Sequence, residues 1–250
     1  MRDIRALLFD FGGTLDGNGI HWLERTYQFI NRHHPEITRE AFDTADKAAV
    51  AAFALGDASA VDPQYQSGSM IPVVGMAADG AAARCTLRDT SEAIAAGIYQ
   101  RLGLREELKD RYVKEFCRDV AASLEENRRW LATLHGTYQL GVISNNFGNT
   151  HGWCEEYALS PLLDVIVDST VFGAAKPDAR IFRHALSALG VAPAEAVYVG
   201  DSFVPDMMGA KAVGMWTAWL IGDETKACPD ASVVDVQLRH LHELEAFLDA

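Results

Sequence analysis

Cysteine is scarce and scattered in this sequence: Cys85, Cys117, Cys154 and Cys228 stand in no CxxC spacing. That sets aside a disulfide framework and a thiol-built structural zinc site, and reduced thiols in a cytosol are the expectation. Positive charge is in deficit too. Lys and Arg number 22 against 35 Asp and Glu, leaving a formal charge of −13. Nucleic acids and anionic membrane surfaces demand clustered Lys and Arg, so neither is an expected partner. Long apolar runs are also missing. The run inside MRDIRALLFD is about five residues, too short for a signal-peptide core or a membrane span. A soluble, cytoplasmic protein follows as the expectation. No internal repeat or low-complexity segment occurs.

What is present is enough apolar material, 49% of 250 residues, to bury a substantial core. The length suits one core domain carrying a large insertion. RALLFD (5–10) reads as a first strand. From about residue 20 to 135, IHWLERTYQFINRHH, REAFDTADKAAVAAFAL, TSEAIAAGIYQRLGL and ELKDRYVKEFCRDVAASL place apolar residues at helical spacing. The Gly-, Pro- and Ser-bearing stretch 56–84 reads as a long loop with an extended IPVV segment. YQLGVISN (138–145), LLDVIVDS (162–169), AVYVGD (196–201) and MWTAWLI (215–221) then read as strands. PDARIFRHALSALG (177–190) reads as a helix, with Pro177 at its start and Gly190 at its end. DMMGAKAVG (206–214) is a second helix, and VQLRHLHELEAFL closes the chain as an amphipathic third. Such alternation predicts an α/β protein with a parallel sheet, and ligands beyond the carboxyl ends of its strands.

Polar residues fall at those ends. Asp10 closes the first strand, Ser144 and Asn145 another, and Asp201 a later one. Parallel strands joined by right-handed crossovers gather these groups at one sheet edge.

Four motifs in order, DFGGTLD (10–16), VISN (142–145), AKPDARIF (175–182) and VGDSFVPD (199–206), resemble those of the haloacid dehalogenase-like superfamily, mostly phosphatases and phosphotransferases. The resemblance implies a Rossmann-like core over 1–16 and 129–250, and a helical cap over 17–128. It makes Asp10 the nucleophile, with Ser144 and Lys176 as catalytic partners. Gly13, Thr14 and Asn145 would line the phosphate pocket, and the Thr14 hydroxyl would steady the nucleophile loop. Mg²⁺ would be held by Asp10, the Gly12 backbone carbonyl and Asp201, with Asp206 behind them or joined through water. As a plain structural residue, Asp206 would instead cap the helix that follows it. The substrate would be a small phosphorylated metabolite.

One departure matters. The family's phosphatases carry a second Asp, a proton donor, where this chain has Gly12. Asp16 and His21 are the replacement acids within reach; His21 also fits the phosphate pocket, or a plain exposed helix start. Three readings compete: a phosphatase or phosphotransferase without the usual acid, a dehalogenase- or phosphonatase-type hydrolase, and a non-catalytic binder. Phosphonate cleavage requires a cap lysine, and Lys47 is the candidate. Arg25, Arg84 and Arg88 are candidate anion grips, and Trp22, Tyr27 and Tyr65 candidate stacking surfaces.

Overall fold

The computed structural model describes residues 3–55, 80–223 and 226–249. The expected loop with its IPVV segment and Tyr65 lies, as far as residue 79, outside the described residues.

Six parallel strands form one sheet in the order β3-β2-β1-β4-β5-β6: β1 Ala6–Phe9, β2 Gln139–Ser144, β3 Val165–Asp168, β4 Ala196–Gly200, β5 Trp216–Leu220 and β6 Val236–Leu238. The order reverses between β1 and β4, which pair directly from Ala6↔Ala196 to Phe9↔Val199. A parallel sheet opens its ligand crevice at such a switch point. All of β1 is buried because both of its faces are covered, as its unbroken apolar run demands. Leu7 and Phe9 enter one core, and Ala6 and Leu8 enter another on the opposite face.

Among the described residues between β1 and β2 lie four α-helices: α1 Trp22–His33, α2 Arg39–Leu55, α3 Leu87–Leu102 and α4 Glu106–Leu134. Thr86 and Asp89 cap α3 reciprocally, and Gly103 ends it in the left-handed conformation. The 29-residue α4 runs unbroken through residue 128. Its buried Tyr112, Phe116, Val120 and Leu124 join the core that holds Phe9 and Phe11. Sheet and inserted helices therefore share one apolar interior.

After β2 come α5 Thr150–Glu156, α6 Ser169–Phe172, α7 Ala179–Leu189, α8 Gly209–Val213 and α9 Leu244–Leu248. Two local readings are corrected. Asp178 caps α7 by accepting from the Arg180 N–H at 2.9 Å, so Pro177 precedes the helix rather than opening it. Val236-Gln237-Leu238, read as helix, is the edge strand β6. It pairs with Ala218–Leu220 and relieves β5 of an open edge. Asp235 fixes that register by accepting from Thr217 and Lys211. Among the described residues no helix is long and apolar enough to cross a membrane.

Candidate active site

The carboxyl ends of β1 and β4 flank the switch point, and each is followed at once by an aspartate. Asp10 follows β1, and its backbone N–H is held by the Val199 carbonyl at 2.9 Å. Asp201 follows β4, and its carbonyl accepts from the Trp219 indole at 2.9 Å. Asp206 lies in a wide helical turn, Phe203–Met208, that leads into α8. The three carboxylates are buried and offer oxygens within 4.8 Å of one another.

Lys176 is the cation at their centre, with only 2% of its surface exposed. Its ammonium donates to Asp10 at 2.7 Å, to Asp206 at 2.8 Å and to the Tyr198 hydroxyl at 2.9 Å. Burial opposes its charge, but Asp10 and Asp206 outweigh burial and raise its pKa. One ammonium does not balance three acids. Burial, then Asp10 and Asp206, push Asp201 well above the usual carboxylate range, and Asp206 rises to about 6, chiefly through burial.

Gly12 and Gly13 differ in kind. Gly13 has φ +86°, and a methyl group there would lie 2.5 Å from Asp201 Oδ2 and 3.0 Å from the His21 Cα. Only glycine lets this turn pass against Asp201. Gly12 has φ −73° and ψ 118°, ordinary for any residue. The first atom a methyl there would meet is the Trp22 indole nitrogen, at 3.9 Å. The backbone and its surroundings accept a methyl group at position 12.

Asp16 braces the turn from within. Its carboxylate accepts from the Gly13 N–H at 2.6 Å and from the Trp22 indole N–H. Burial raises it to about 6 against the opposing Arg25 charge. Both oxygens are engaged in the turn, so it is poorly placed to give a proton to a substrate. Asn127 of α4 donates to the Leu15 carbonyl at 2.7 Å and ties the long helix to the same turn.

His21 caps α1, its Nδ1 accepting from the Leu23 N–H at 3.3 Å. Burial lowers its pKa first, Asp10 pulls the other way, and the Lys176 and Lys226 charges lower it further. Burial thus disfavours its protonated form. Ser144 is buried at the end of β2. Asn145 spends its amide on Lys176, donating to its carbonyl at 3.0 Å and accepting its N–H at 2.8 Å. Thr14 is fully buried, and its hydroxyl has no partner among the described residues. Asp16, not Thr14, steadies the turn. Asp206 does not cap α8 either: it accepts from the Ser202 N–H at 3.0 Å, inside the turn.

Other candidates fall elsewhere. Lys47 is exposed on α2, and Arg84 and Arg88 are exposed as well. Arg25 lies over Phe116 and donates to the Asp16 carbonyl, and Tyr27 packs on Phe42 beneath Arg39. Trp22 does reach the site. It stacks on Trp153 at 5.4 Å and turns its indole edge toward Gly12. Sequence reading missed Tyr198, whose only signal is one hydroxyl inside an apolar strand, and Lys226, which stands outside every motif.

The donor set of hard carboxylate oxygens, with acid in excess of the one ammonium, suits a divalent oxygen-seeking ion such as Mg²⁺. Among proteins of known function, a phosphoserine phosphatase from Thermus thermophilus is 40% identical over 77 residues, covering 29% of this chain and 31% of that one. The chain matches about a third of the length of curated relatives such as this one. Among solved structures, the hydrolase YfnB from Bacillus subtilis bound to magnesium aligns over 100% of both chains at TM-score 0.55 and 16% identity. A dehalogenase with an intermediate complex aligns over 99% of this chain and 98% of its own at TM-score 0.60 and 18% identity. These two establish likeness of fold. A family model described as haloacid dehalogenase-like hydrolase matches residues 4–214, and the chain belongs to that family of hydrolases.

Proposed function

We propose that the chain is a Mg²⁺-dependent phosphoric monoester hydrolase acting on a small phosphorylated metabolite whose leaving group departs without an enzyme acid. The observation that carries this reading is the acid cluster at the switch point, Asp10, Asp201 and Asp206 around Lys176. A metal-free carbon–halogen hydrolase has no use for Asp201, which bonds neither Lys176 nor the turn.

In this reading an oxygen of Asp10 bonds to phosphorus as the ester P–O bond breaks. The leaving oxygen departs with the electron pair and takes its proton from solvent. Water then attacks phosphorus, the bond from phosphorus to Asp10 breaks, and inorganic phosphate leaves. Lys176 holds Asp10 in line and offsets its charge. Ser144 and the unpartnered Thr14 hydroxyl supply donors to the phosphoryl oxygens, and Asn145 positions Lys176 through its backbone. Mg²⁺ held by Asp10, the Gly12 carbonyl and Asp201 would supply positive charge to the phosphoryl oxygens. Asp206, spent on Lys176 and Ser202, stands behind it.

Residues 17–128 act as a cap over a core of 1–16 and 129–250, closing water out. Trp22 at Gly12 and the edge contact of Phe53 on Phe147 at 4.9 Å support that role. A cytoplasmic setting accords with the four unbridged cysteines.

Phosphate release from an aryl and an alkyl monoester, with Mg²⁺, in wild type and Gly12→Asp, is the test. Wild type is expected to cleave the aryl ester and barely touch the alkyl one. Gly12→Asp should gain roughly a hundredfold or more on the alkyl ester, the usual contribution of general acid catalysis. Efficient alkyl cleavage by wild type would overturn the acid-free reading. The second reading, carbon–halogen hydrolysis, draws on Gly12 and the aromatic wall of Trp22 and Trp153. Halide release from a 2-halo acid with no metal present would favour it.

A further inference from the structure

We propose that Tyr198 is a positioning residue for the reaction: its hydroxyl holds the Lys176 ammonium on Asp10, so that the nucleophile keeps its orientation and its counter-charge through turnover. The inference rests on the monoester-hydrolysis reading above and adds to it the group that fixes the cation.

Tyr198 carries the one polar side-chain atom in β4, a strand buried along its whole length. A phenol oxygen there costs free energy unless it is bonded. The ring meets Phe182 edge-on at 5.1 Å, a contact that phenylalanine would make equally well. The hydroxyl is what tyrosine adds, and the hydroxyl lies against Lys176.

Its bonds can be assigned one by one. A hydroxyl has one hydrogen and two lone pairs. The hydrogen goes to the Ile143 carbonyl at 2.9 Å, while Asp206 Oδ1 lies farther off, at 3.4 Å. A lone pair is left for the ammonium, which donates from 2.9 Å. Ile143 is the residue before Ser144 on β2, so one hydroxyl joins β2, β4 and the segment that carries Lys176.

The ammonium has three hydrogens, and Asp10 and Asp206 take the other two at 2.7 and 2.8 Å. Two acceptors alone would let a buried ammonium pivot about the line joining them; a third, in another direction, fixes it. A neutral third acceptor suits this place. A carboxylate there would add charge where three acids already crowd one base, and would compete with Asp10 for the cation. A hydroxyl whose own hydrogen is anchored on Ile143 orients the cation without that competition. Its ring is fully buried, so the acceptor is preorganised and need not move as charge shifts on Asp10.

Tyr198→Phe tests this, because it deletes the oxygen and keeps the ring contact with Phe182. Phenyl phosphate is the substrate, since its leaving group departs without an enzyme acid. Its kcat is expected to fall roughly tenfold, as loss of one hydrogen bond to a charged group implies, with KM within about twofold of wild type. A purely structural tyrosine would lower the melting temperature and leave kcat per folded molecule unchanged, and that result would overturn the assignment. A second readout needs no turnover. In protein carrying ¹⁵N-labelled lysine, the Lys176 ammonium is identified as the signal absent from Lys176→Arg. Buried on three acceptors, its hydrogens should exchange slowly with water and give a sharp signal in wild type. Tyr198→Phe should shift and broaden that signal. A signal that Tyr198→Phe leaves unmoved, or no protected signal in wild type, refutes the proposal. If wild type hydrolyses no monoester, the hydrolysis reading fails, and the ammonium spectrum alone decides whether Tyr198 holds Lys176.

Discussion

At the carboxyl edge of the sheet, Asp10 and Asp206 share one ammonium at 2.7 and 2.8 Å. Within α2, Asp46 is buried too, but its neighbours are Asp43, Arg39 and Lys47, and Arg39 is already bonded to Glu24 and Asp43. The first region matches buried acid with buried base and leaves negative charge over, as a cation-binding site should. The second buries an acid with no bonded counter-charge among the described residues, which costs stability. Burial alone does not mark a functional acid; burial in a shared network around a cation does.

The largest effect should come from breaking the matched region. Lys176→Met strands two buried carboxylates, and removal of one partner of a buried ion pair costs about 3–5 kcal/mol. Chemical denaturation should register that loss. Turnover should fall by roughly a thousandfold, the upper range for losing one group that stabilises developing charge. Near-wild-type turnover would remove Lys176 from the chemistry.

Asp46→Asn should do the opposite in the unmatched region. Burial, with Asp43 adding to it, raises Asp46 from 3.8 to about 6. The folded state therefore holds this proton more tightly than the unfolded chain, and Asp46 costs stability as pH rises from the unfolded value through the folded one. Above about pH 6 the full penalty stands, on the order of 3 kcal/mol. Asp46→Asn should be more stable than wild type by up to that amount near pH 7.5. The gain should shrink to nothing below about pH 4. Unfolding curves at the two pH values decide it, and a gain independent of pH would mean that packing, not charge, is responsible.

How much of this was legible in the sequence follows the same division. Five strands were readable because parallel strands buried on both faces are short apolar runs, and the acids at their ends show where the site lies. β6 was misread because three residues, Val236 to Leu238, are too few to show a period of two before the apolar spacing of Leu241, Leu244 and Phe247 takes over. Asp10, Lys176 and Asp201 were legible through motif context. Tyr198, Lys226 and the bracing role of Asp16 were not, because each acts through a contact between distant segments. Lys226 meets Gly19 across 207 positions of sequence, and no local pattern records that.

The smallest effect is the most instructive, and it arises where Trp22, at the start of the inserted helices, meets the sheet edge. Gly12 and Gly13 are adjacent in sequence, yet the structure requires only one of them. Gly13→Ala must place a methyl 2.5 Å from Asp201 Oδ2 while holding φ near +86°. The backbone conformation alone costs roughly 1–2 kcal/mol, and displacement of Asp201 should lower turnover about a hundredfold. Gly12→Ala has φ −73°, and its nearest neighbour is Trp22 at 3.9 Å. Alanine there restricts the unfolded chain without straining the folded one, so stability should hold or rise by about 0.4–1 kcal/mol. Aryl phosphate turnover should stay within about threefold of wild type, because alanine brings no acid and removes none. Melting and turnover of the two variants side by side measure the contrast directly. Should Gly12→Ala fail as badly as Gly13→Ala, the open volume at position 12 is itself needed, as space for the leaving group against Trp22. If it behaves as wild type, the backbone does not require glycine at position 12, and the want of an acid there points to the chemistry of the substrate.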